Sequence, residues 1–181
     1  MNDTLYTYSG AIGFPECAPS IEDIAISLSR EGRYAGAGLE FWPVALHTFV
    51  VCDMLPDELK LDGLLHDSPE CITGDVPKPA KTEAISEFEE EILVSIYKSV
   101  DVRFPDQWMR DAIKREDRKA LRGEVYTVGT SALRQFHERC FEAEDLVLKY
   151  HYKYDYYDML SPRGAVQAEF VRRFHYYKRL L

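Results

Sequence analysis

Apolar residues recur at helical spacing along nearly the whole chain, and this periodicity restricts the fold more than any other feature. After Ser20, a residue that can cap a helix, the apolar residues Ile21, Ile24 and Leu28 share one face. Alternating patterns typical of half-buried strands are almost absent from the sequence. We therefore predict an all-α fold, with helices near residues 20–32, 43–55, 57–67, 85–96, 106–121, 130–150 and 162–181.

The length of 181 residues predicts one domain covering 1–181. Hydrophobic residues make up 46% of the chain and charged residues 29%, values that exclude a disordered or collagen-like chain.

No apolar run approaches the roughly 20 residues that span a membrane, and no secretory signal is recognisable. We expect a soluble, cytoplasmic protein without membrane contacts. Its cysteines lack zinc-finger spacing and are expected to be reduced: Cys17, Cys52, Cys71 and Cys140.

The charge balance limits the classes of partner. With 31 acidic and 22 basic side chains, the formal net charge is −9. This acidity argues against a general binder of nucleic acids or anionic membranes, because phosphate backbones and headgroups attract basic surfaces. A small phosphorylated substrate stays compatible if a metal or a local basic cluster neutralises its phosphate.

Four polar residues interrupt the apolar helix faces. His47 lies on the apolar stripe of its helix, and His66 and Asp67 end the apolar segment LDGLLHD. Asp117 shares the inward face of its helix with Met109. A buried ionised carboxylate without a partner is costly. Because imidazoles and carboxylates are ligands for Zn, Mn, Fe or Co, the combination predicts a divalent metal site in the core.

Each of these residues also has a plainer interpretation. A single histidine on a helix face is more often a hydrogen-bonded core residue than a metal ligand. Asp117, within KREDRK, can instead pair with Lys114 or Arg118. Helix facing alone therefore favours a metal site and a structural role about equally.

The order of these residues resembles a known family. His47, then His66 and Asp67, then Asp117 are similar to the H…HD…D pattern of HD-domain phosphohydrolases. The segment HDSPECITGDVPKPAK resembles the H-D-x-x-E-x-x-x-G-D-x-P-x-P-x-K segment of bacterial 5′-deoxynucleotidase-like HD proteins, and REGRYAGAGLEFWPVALHT resembles their approach to the first ligand. Among them, the short phage dATP phosphohydrolases look nearest in length and in LEFWPVALH. The resemblance covers about 20–125, whereas the C-terminal helices, about 130–181, match only in being helical.

The resemblance implies a single HD-domain helical bundle with a metal site in its core. It implies His47, His66, Asp67 and Asp117 as ligands of a divalent transition metal (Zn, Co or Mn), with additional Mg or Co accompanying a triphosphate. Glu70, three residues beyond Asp67, is the predicted catalytic residue, which positions the attacking water and transfers protons. Its plainer role is that of a carboxylate at a helix end.

The same segments supply the candidate substrate contacts. Asp75 is predicted to accept a hydrogen bond from the sugar 3′-hydroxyl, or else to close its own turn. Lys81 and Arg33 are predicted to bind phosphate, although most such side chains are simply solvated. Tyr34 and Trp42 are candidates for stacking on a base, but a core position is commoner for residues of this kind.

Two positions depart from the family pattern. Relatives commonly have Ser-Val-Ala-Glu-His at the first ligand, whereas this chain has PVALH, with Leu46 in place of the glutamate. The aromatic residue after Arg33 is Tyr34, where many relatives have tryptophan. The first change removes a carboxylate that could orient the metal ligand.

The resemblance implies an enzyme that hydrolyses phosphates from 5′-deoxynucleotides, with dATP, dADP and dAMP converted to deoxyadenosine. The alternatives are a broad-specificity 5′-deoxynucleotidase acting on dNMPs, a signalling-nucleotide hydrolase, and a non-catalytic HD-like helical scaffold. The sequence lacks the G-Y-P element of cyclic-dinucleotide HD enzymes and the paired Glu-Asp of alarmone hydrolases. The expected partner is a small-molecule deoxynucleotide, not a nucleic acid, in the cytoplasm of a bacterial host if the gene is phage-borne.

An aromatic-rich run near the C-terminus favours a packing or subunit interface over nucleic-acid stacking, because acidic residues are interspersed in it. The resemblance likewise implies a homo-oligomer, either a dimer or a ring-shaped hexamer. The run comprises Tyr150, His151, Tyr152, Tyr154, Tyr156 and Tyr157.

Overall fold

The computed structural model describes residues 4–13, 18–155, 158 and 164–181. Apart from one hairpin, the regular structure in this part of the chain is helical, which bears out the all-α class. The elements are β1 (Thr4–Thr7), β2 (Gly10–Gly13), α1 (Ile21–Leu28), α2 (Val44–Met54), α3 (Lys60–Leu65), α4 (Glu70–Thr73), α5 (Glu83–Ser99), α6 (Gln107–Thr127), α7 (Ser131–Arg134), α8 (Phe141–Lys153) and α9 (Ala165–Lys178).

Helix α2 lies at the centre of the core. Its sequence VALHTFVVCDM is apolar on nearly all sides, and a helix of this kind is stable only when it is enclosed. Every residue from Val44 to Cys52 is buried, with α3, α6, α8 and α9 packed around the helix. Pro43 was predicted as the first helical residue, but it is the N-cap, and the helix begins one residue later at Val44. The central helix therefore carries His47 into the interior.

Local capping signals set several helix starts. The Ser20 hydroxyl accepts a hydrogen bond from the Asp23 N–H at 3.0 Å, as predicted for α1. Thr82 caps α5 in the same way. Asp106 precedes α6 as expected, but its carboxylate makes no capping bond because both oxygens accept from Arg103, at 2.7 and 2.9 Å.

Several elements differ from the prediction, among them α6, which continues to Thr127 beyond the predicted end at 121. The segment predicted as one helix over 57–67 is a 3-10 turn, Asp57–Leu59, followed by α3. The helix predicted over 130–150 is divided into α7 and α8; in the break the Tyr126 hydroxyl binds the His137 carbonyl, and Arg134 binds carbonyls at the end of α6. The β1–β2 hairpin was not predicted, since its four-residue strands are too short to show alternation. Pro162, the predicted start of the last helix, lies outside the described residues.

Helices α6 and α8 approach closely at Gly123. A Cβ atom at this position would lie 2.6 Å from the Cβ of Ala143, closer than side-chain carbons can pack. Glycine is therefore required here by the close approach of the two helices. The contact fixes the C-terminal half of α6, which carries Glu124 and follows Asp117.

A buried polar network joins α2, α8 and α9. The Asp53 carboxylate accepts from the Tyr150 hydroxyl at 2.6 Å and lies 3.0 Å from Arg173, which also binds Glu169 at 2.9 Å. The Arg173 guanidinium covers the Phe49 ring. These contacts assign Tyr150 to the interior, whereas Tyr156 and Tyr157 of the aromatic run lie outside the described residues. None of the helices described is both long and apolar enough to cross a membrane.

Candidate metal centre

Two histidines and an aspartate converge at the end of α3. His47 comes from the middle of α2, and His66 and Asp67 come from the turn that follows Leu65. One ligand atom from each of the three lies within 4.8 Å of the others. His47 is fully buried, and the side chains of His66 and Asp67 are 14% and 19% exposed. This group can hold a metal ion.

The second nitrogen of each imidazole has a fixed partner. His47 Nδ1 donates to the Glu124 carboxylate at 2.6 Å, and His66 Nδ1 donates to the Gly63 carbonyl at 2.7 Å. Because these partners only accept, each ring keeps its Nε2 available as a ligand. Both Nε2 atoms are buried without a hydrogen-bond partner, and they lie 3.4 and 3.1 Å from Asp67 Oδ2. Metal-ligating histidines are held in this manner, so the donor set fits a divalent transition metal.

Asp117 approaches the same point from α6. Its Oδ1 lies 3.2 Å from His47 Nε2, and among the described residues it forms no ion pair with Lys114 or Arg118. Its side chain is 35% exposed, more than the other three predicted ligands, and it lies outside the group of atoms within 4.8 Å. The structure therefore places Asp117 at the solvent side of the centre, and its role as a ligand stays a prediction.

The centre favours positive charge. Burial disfavours a charged His47 imidazole and Arg33 repels it, yet Glu124 and Asp117 raise its pKa to about 10. Burial opposes ionisation of Asp67 too, but His66, His47 and Arg33 hold the pKa of its carboxyl well below the ordinary value. Imidazole protons or a bound divalent cation can supply the positive charge that these carboxylates stabilise.

Glu70 lies beside this group at the start of α4. Tight turns after His66 bring it back, with its N–H donating to the Asp67 carbonyl at 3.0 Å. The residue is 8% exposed, and its Oε2 is buried without a partner. Burial and the neighbouring Asp67 charge raise the pKa of its carboxyl to about 9. A carboxyl perturbed in this way suits proton transfer.

A small pocket opens next to these residues. It has a volume of about 140 Å³ and is lined by α5 side chains together with His66, Asp67, Glu70 and Lys81. Sites that enclose a drug-sized ligand usually have about 300–1,000 Å³. The pocket therefore has room for only part of a nucleotide. Larger cavities of about 280 and 500 Å³ lie against the hairpin and between α1 and α9, away from the imidazoles.

The predicted substrate residue Asp75 holds the segment 33–36. Its Oδ2 accepts from the Tyr34 N–H at 2.8 Å, and its Oδ1 lies 3.9 Å from Arg33 Nη1. Its own N–H donates to Glu31 at 3.0 Å. Tyr34 and Ala35 have φ of 61° and 50°, a conformation costly for residues with a side chain. Such strain persists only where surrounding contacts impose it.

Three predicted substrate residues are paired or enclosed within the protein. Lys81 lies on the pocket wall, but its Nζ pairs with Glu89 at 2.7 Å. Trp42 is 2% exposed and belongs to the hydrophobic core, which was the alternative predicted for it. Its ring is therefore not available to stack on a base. Arg33 is largely buried among carboxylates, with Nη1 3.9 Å from Asp67.

Glu124 is the residue of the site that the sequence did not reveal. It is fully buried in α6, next to His47, and Tyr34 also donates its hydroxyl to it at 3.0 Å. Although burial opposes ionisation, the charges of His47 and Arg33 hold the pKa of Glu124 below its ordinary value. The family pattern has a glutamate at the position of Leu46, directly before the first ligand. In this chain the carboxylate that contacts His47 comes from Glu124. The available signal was its spacing, seven residues after Asp117, which repeats one helix face.

One segment of the chain is similar to part of a known protein. No family model matches it. The chain is 39% identical over 61 residues to the uncharacterized protein YfdR of Escherichia coli (strain K12). This match covers 34% of the chain and 34% of that protein, so the chain spans about a third of the length of the relative it matches.

Proposed function

We propose that the chain is a metal-dependent phosphohydrolase of the HD-domain type, acting on 5′-deoxynucleotides with deoxyadenosine phosphates preferred. The observation that carries this proposal is the pair of buried imidazoles with unpartnered Nε2 atoms beside Asp67. A structural histidine pair has no need of two unsatisfied buried nitrogens, since each such group costs free energy. The adjacent pocket and Glu70 give this centre an opening to a substrate.

His47, His66 and Asp67, with Asp117 at the rim, would hold the metal. A bound divalent cation supplies neutralisation of phosphate charge and a water of lowered pKa. Zn, Co and Mn suit this donor set. A triphosphate would bring further charge, for which an additional Mg or Co ion is the expected counterion.

Glu70 would transfer protons at the reacting centre. Its side chain lines the pocket, and its Oε2 has no hydrogen-bond partner. Among the basic side chains, Lys81 lines the pocket and Arg33 lies behind Asp67. A phosphate would attract the Lys81 ammonium away from Glu89, since a phosphate oxygen is an equally strong acceptor.

Asp75 would bind the sugar. Its Oδ2 already accepts the Tyr34 N–H, and a carboxylate oxygen has a second acceptor site for a 3′-hydroxyl. Because the pocket holds only part of a nucleotide, the sugar and base would lie along the segment 33–36 rather than inside it. Tyr34, which is half-buried there, is the remaining candidate for contact with the base.

The test offers the full chain the dNMP, dNDP, dNTP and rNTP series, a guanosine alarmone and a cyclic dinucleotide, with Zn, Co, Mn and Mg compared. Phosphate release and chromatography of the products report hydrolysis of each compound. We expect release from deoxynucleotides, strongest for deoxyadenosine phosphates. Equal rates on all four dNMPs alone would favour the broad-specificity 5′-deoxynucleotidase. Hydrolysis confined to alarmones or cyclic dinucleotides, or none with any metal, would overturn the proposal in favour of a signalling-nucleotide hydrolase or a scaffold.

Copies of the chain are further proposed to associate as a dimer or hexamer. Exposed aromatic side chains in the α7–α8 break and near the end of α8 support this, because exposed apolar surface often marks protein contacts. Phe136 and Tyr152 are each 82% exposed and Phe141 is 67% exposed. Light scattering of the full chain gives the mass, and a monomer at micromolar concentration would contradict it.

A further inference from the structure

We propose that Glu124 is a positioning residue of the metal centre and couples it to the segment 33–36. This inference rests on the proposed metal site. Nothing in the sequence pattern assigns Glu124 a role, and its side chain does not reach the pocket. It acts through His47 on one side and through Arg33 and Tyr34 on the other.

Both oxygens of Glu124 are used, and they face different parts of the site. Oε1 accepts from His47 Nδ1 at 2.6 Å. Oε2 accepts from the Tyr34 hydroxyl at 3.0 Å and lies 3.4 Å from Arg33 Nε. A fully buried carboxylate without partners would destabilise the fold, so these three contacts are required together.

The His47 contact fixes the chemistry of the ring. With Nδ1–H donated to a carboxylate, Nε2 is the ring atom left for a metal, and it faces Asp67 and Asp117. A negatively charged partner also makes the imidazole a more basic ligand. Replacing the charge alone, with the acceptor retained, should therefore weaken metal binding by about 10- to 100-fold, the usual effect of changing such a partner.

The Oε2 contacts extend this effect to the substrate side. The positive φ values of Tyr34 and Ala35 are maintained by surrounding contacts, and Glu124 and Asp75 provide those on either side of Tyr34. Because one carboxylate binds both His47 and Tyr34, a change in either contact alters the other. Binding equilibria linked in this way are reciprocal.

The test measures Zn²⁺ affinity of the full chain by calorimetry with a competing chelator. We expect Glu124→Gln to weaken Zn²⁺ binding about 10- to 100-fold. Tyr34→Phe removes a contact to Glu124 Oε2 without replacing any group that touches His47, and the coupling should weaken Zn²⁺ binding by about fivefold or more. The matched control is Asp62→Asn, a buried carboxylate, 5% exposed, that accepts from Tyr97 at 2.8 Å and is not one of the metal group's residues. It should leave the Zn²⁺ affinity unchanged.

A spectroscopic readout separates positioning from general destabilisation. In the Co²⁺-loaded protein, Glu124→Gln should shift the visible ligand-field bands, whereas Asp62→Asn should not. If Glu124→Gln does not fold, Tyr34→Phe carries the test by both measurements. Wild-type affinity and an unchanged spectrum in both site variants would overturn the inference alone. Zn²⁺ binding without phosphate release would overturn the proposed function and leave this inference standing, and a wild type that binds no Zn²⁺ would overturn both.

Discussion

Asp117 Oδ1 lies 3.2 Å from His47 Nε2 and so joins α6 to the central helix α2 across the candidate metal centre. The same helix face carries Glu124, which binds the other nitrogen of the same ring. Helix α6 therefore contacts both sides of the His47 imidazole. The position of α6 depends in turn on its packing against α8.

We predict that enlarging Gly123 destabilises the fold. Gly123→Ala would place a methyl group 2.6 Å from the Ala143 Cβ, which forces α6 and α8 apart. We expect a loss of about 1–3 kcal/mol, from which the better helix propensity of alanine recovers up to about 1 kcal/mol. Urea unfolding measures this change. Gly13→Ala is the control, since a Cβ there meets nothing within 4 Å, and equal stability of the two variants would contradict the packing.

Glu70→Gln should separate binding from chemistry. Removal of a positioned proton-transfer group should lower turnover of dAMP or dATP by about two to four decades, while metal content stays unchanged. Glu90→Gln is a matched control on the same pocket wall, because its carboxylate pairs with Arg110 at 2.9 Å. Wild-type turnover by Glu70→Gln would remove this residue from the mechanism.

Asp75→Ala should lower the catalytic efficiency for deoxyadenosine phosphates by about one to two decades. A hydrogen bond to a carboxylate contributes roughly 1.5–3 kcal/mol, which sets this range. A dideoxynucleotide lacks the 3′-hydroxyl and should already be a poor substrate of the wild type. The variant should therefore lose less efficiency with ddATP than with dATP, and kinetics on dATP and ddATP with both proteins decides the point. Equal efficiency of the wild type for ATP, dATP and ddATP would exclude the sugar contact.

The ion pairs of Glu169 predict loss of stability in acid. Burial opposes its ionisation, but Arg172 and Arg173 lower its pKa to about 2 from an ordinary value of 4.5. Since the pKa is lower in the folded chain, this stability is fully present above about pH 4.5 and is lost as the pH falls toward 2. Urea midpoints of wild type and Glu169→Gln should differ at pH 7 and converge near pH 2. A difference in urea midpoint that does not change with pH would contradict the ion pair. The control Glu87→Gln, on the exposed face of α5, should have the urea midpoint of the wild type at both pH values.

The parts of the structure that were predictable depend on local signals. The start of α1 follows from the side-chain cap at Ser20, whereas the Thr82 cap of α5 was not predicted. The grouping of His47, His66 and Asp67 was predicted from the resemblance to the H…HD…D pattern, since helix facing alone favoured a metal site and a structural role about equally.

The remaining features depend on contacts distant in sequence. Glu124 reaches His47 across 77 positions, and Lys81 pairs with a residue of the next helix rather than remaining free for phosphate. In the break of the segment predicted as 130–150, the Tyr126 hydroxyl from α6 binds the His137 carbonyl. Periodicity reports which face is buried, but it does not report such specific pairs.

The most direct measurement is an anomalous diffraction map of the full chain crystallised after loading with Zn²⁺, collected on both sides of the zinc absorption edge. We expect a single strong peak per chain within bonding distance of His47 Nε2, His66 Nε2 and an Asp67 oxygen, at about 2.0–2.2 Å from each. Asp67→Asn should lose the peak, while Asp111→Asn, an exposed change on α6, should keep it. Crystals of the loaded wild type with no peak at these atoms would contradict the metal centre and the phosphohydrolase proposal built on it.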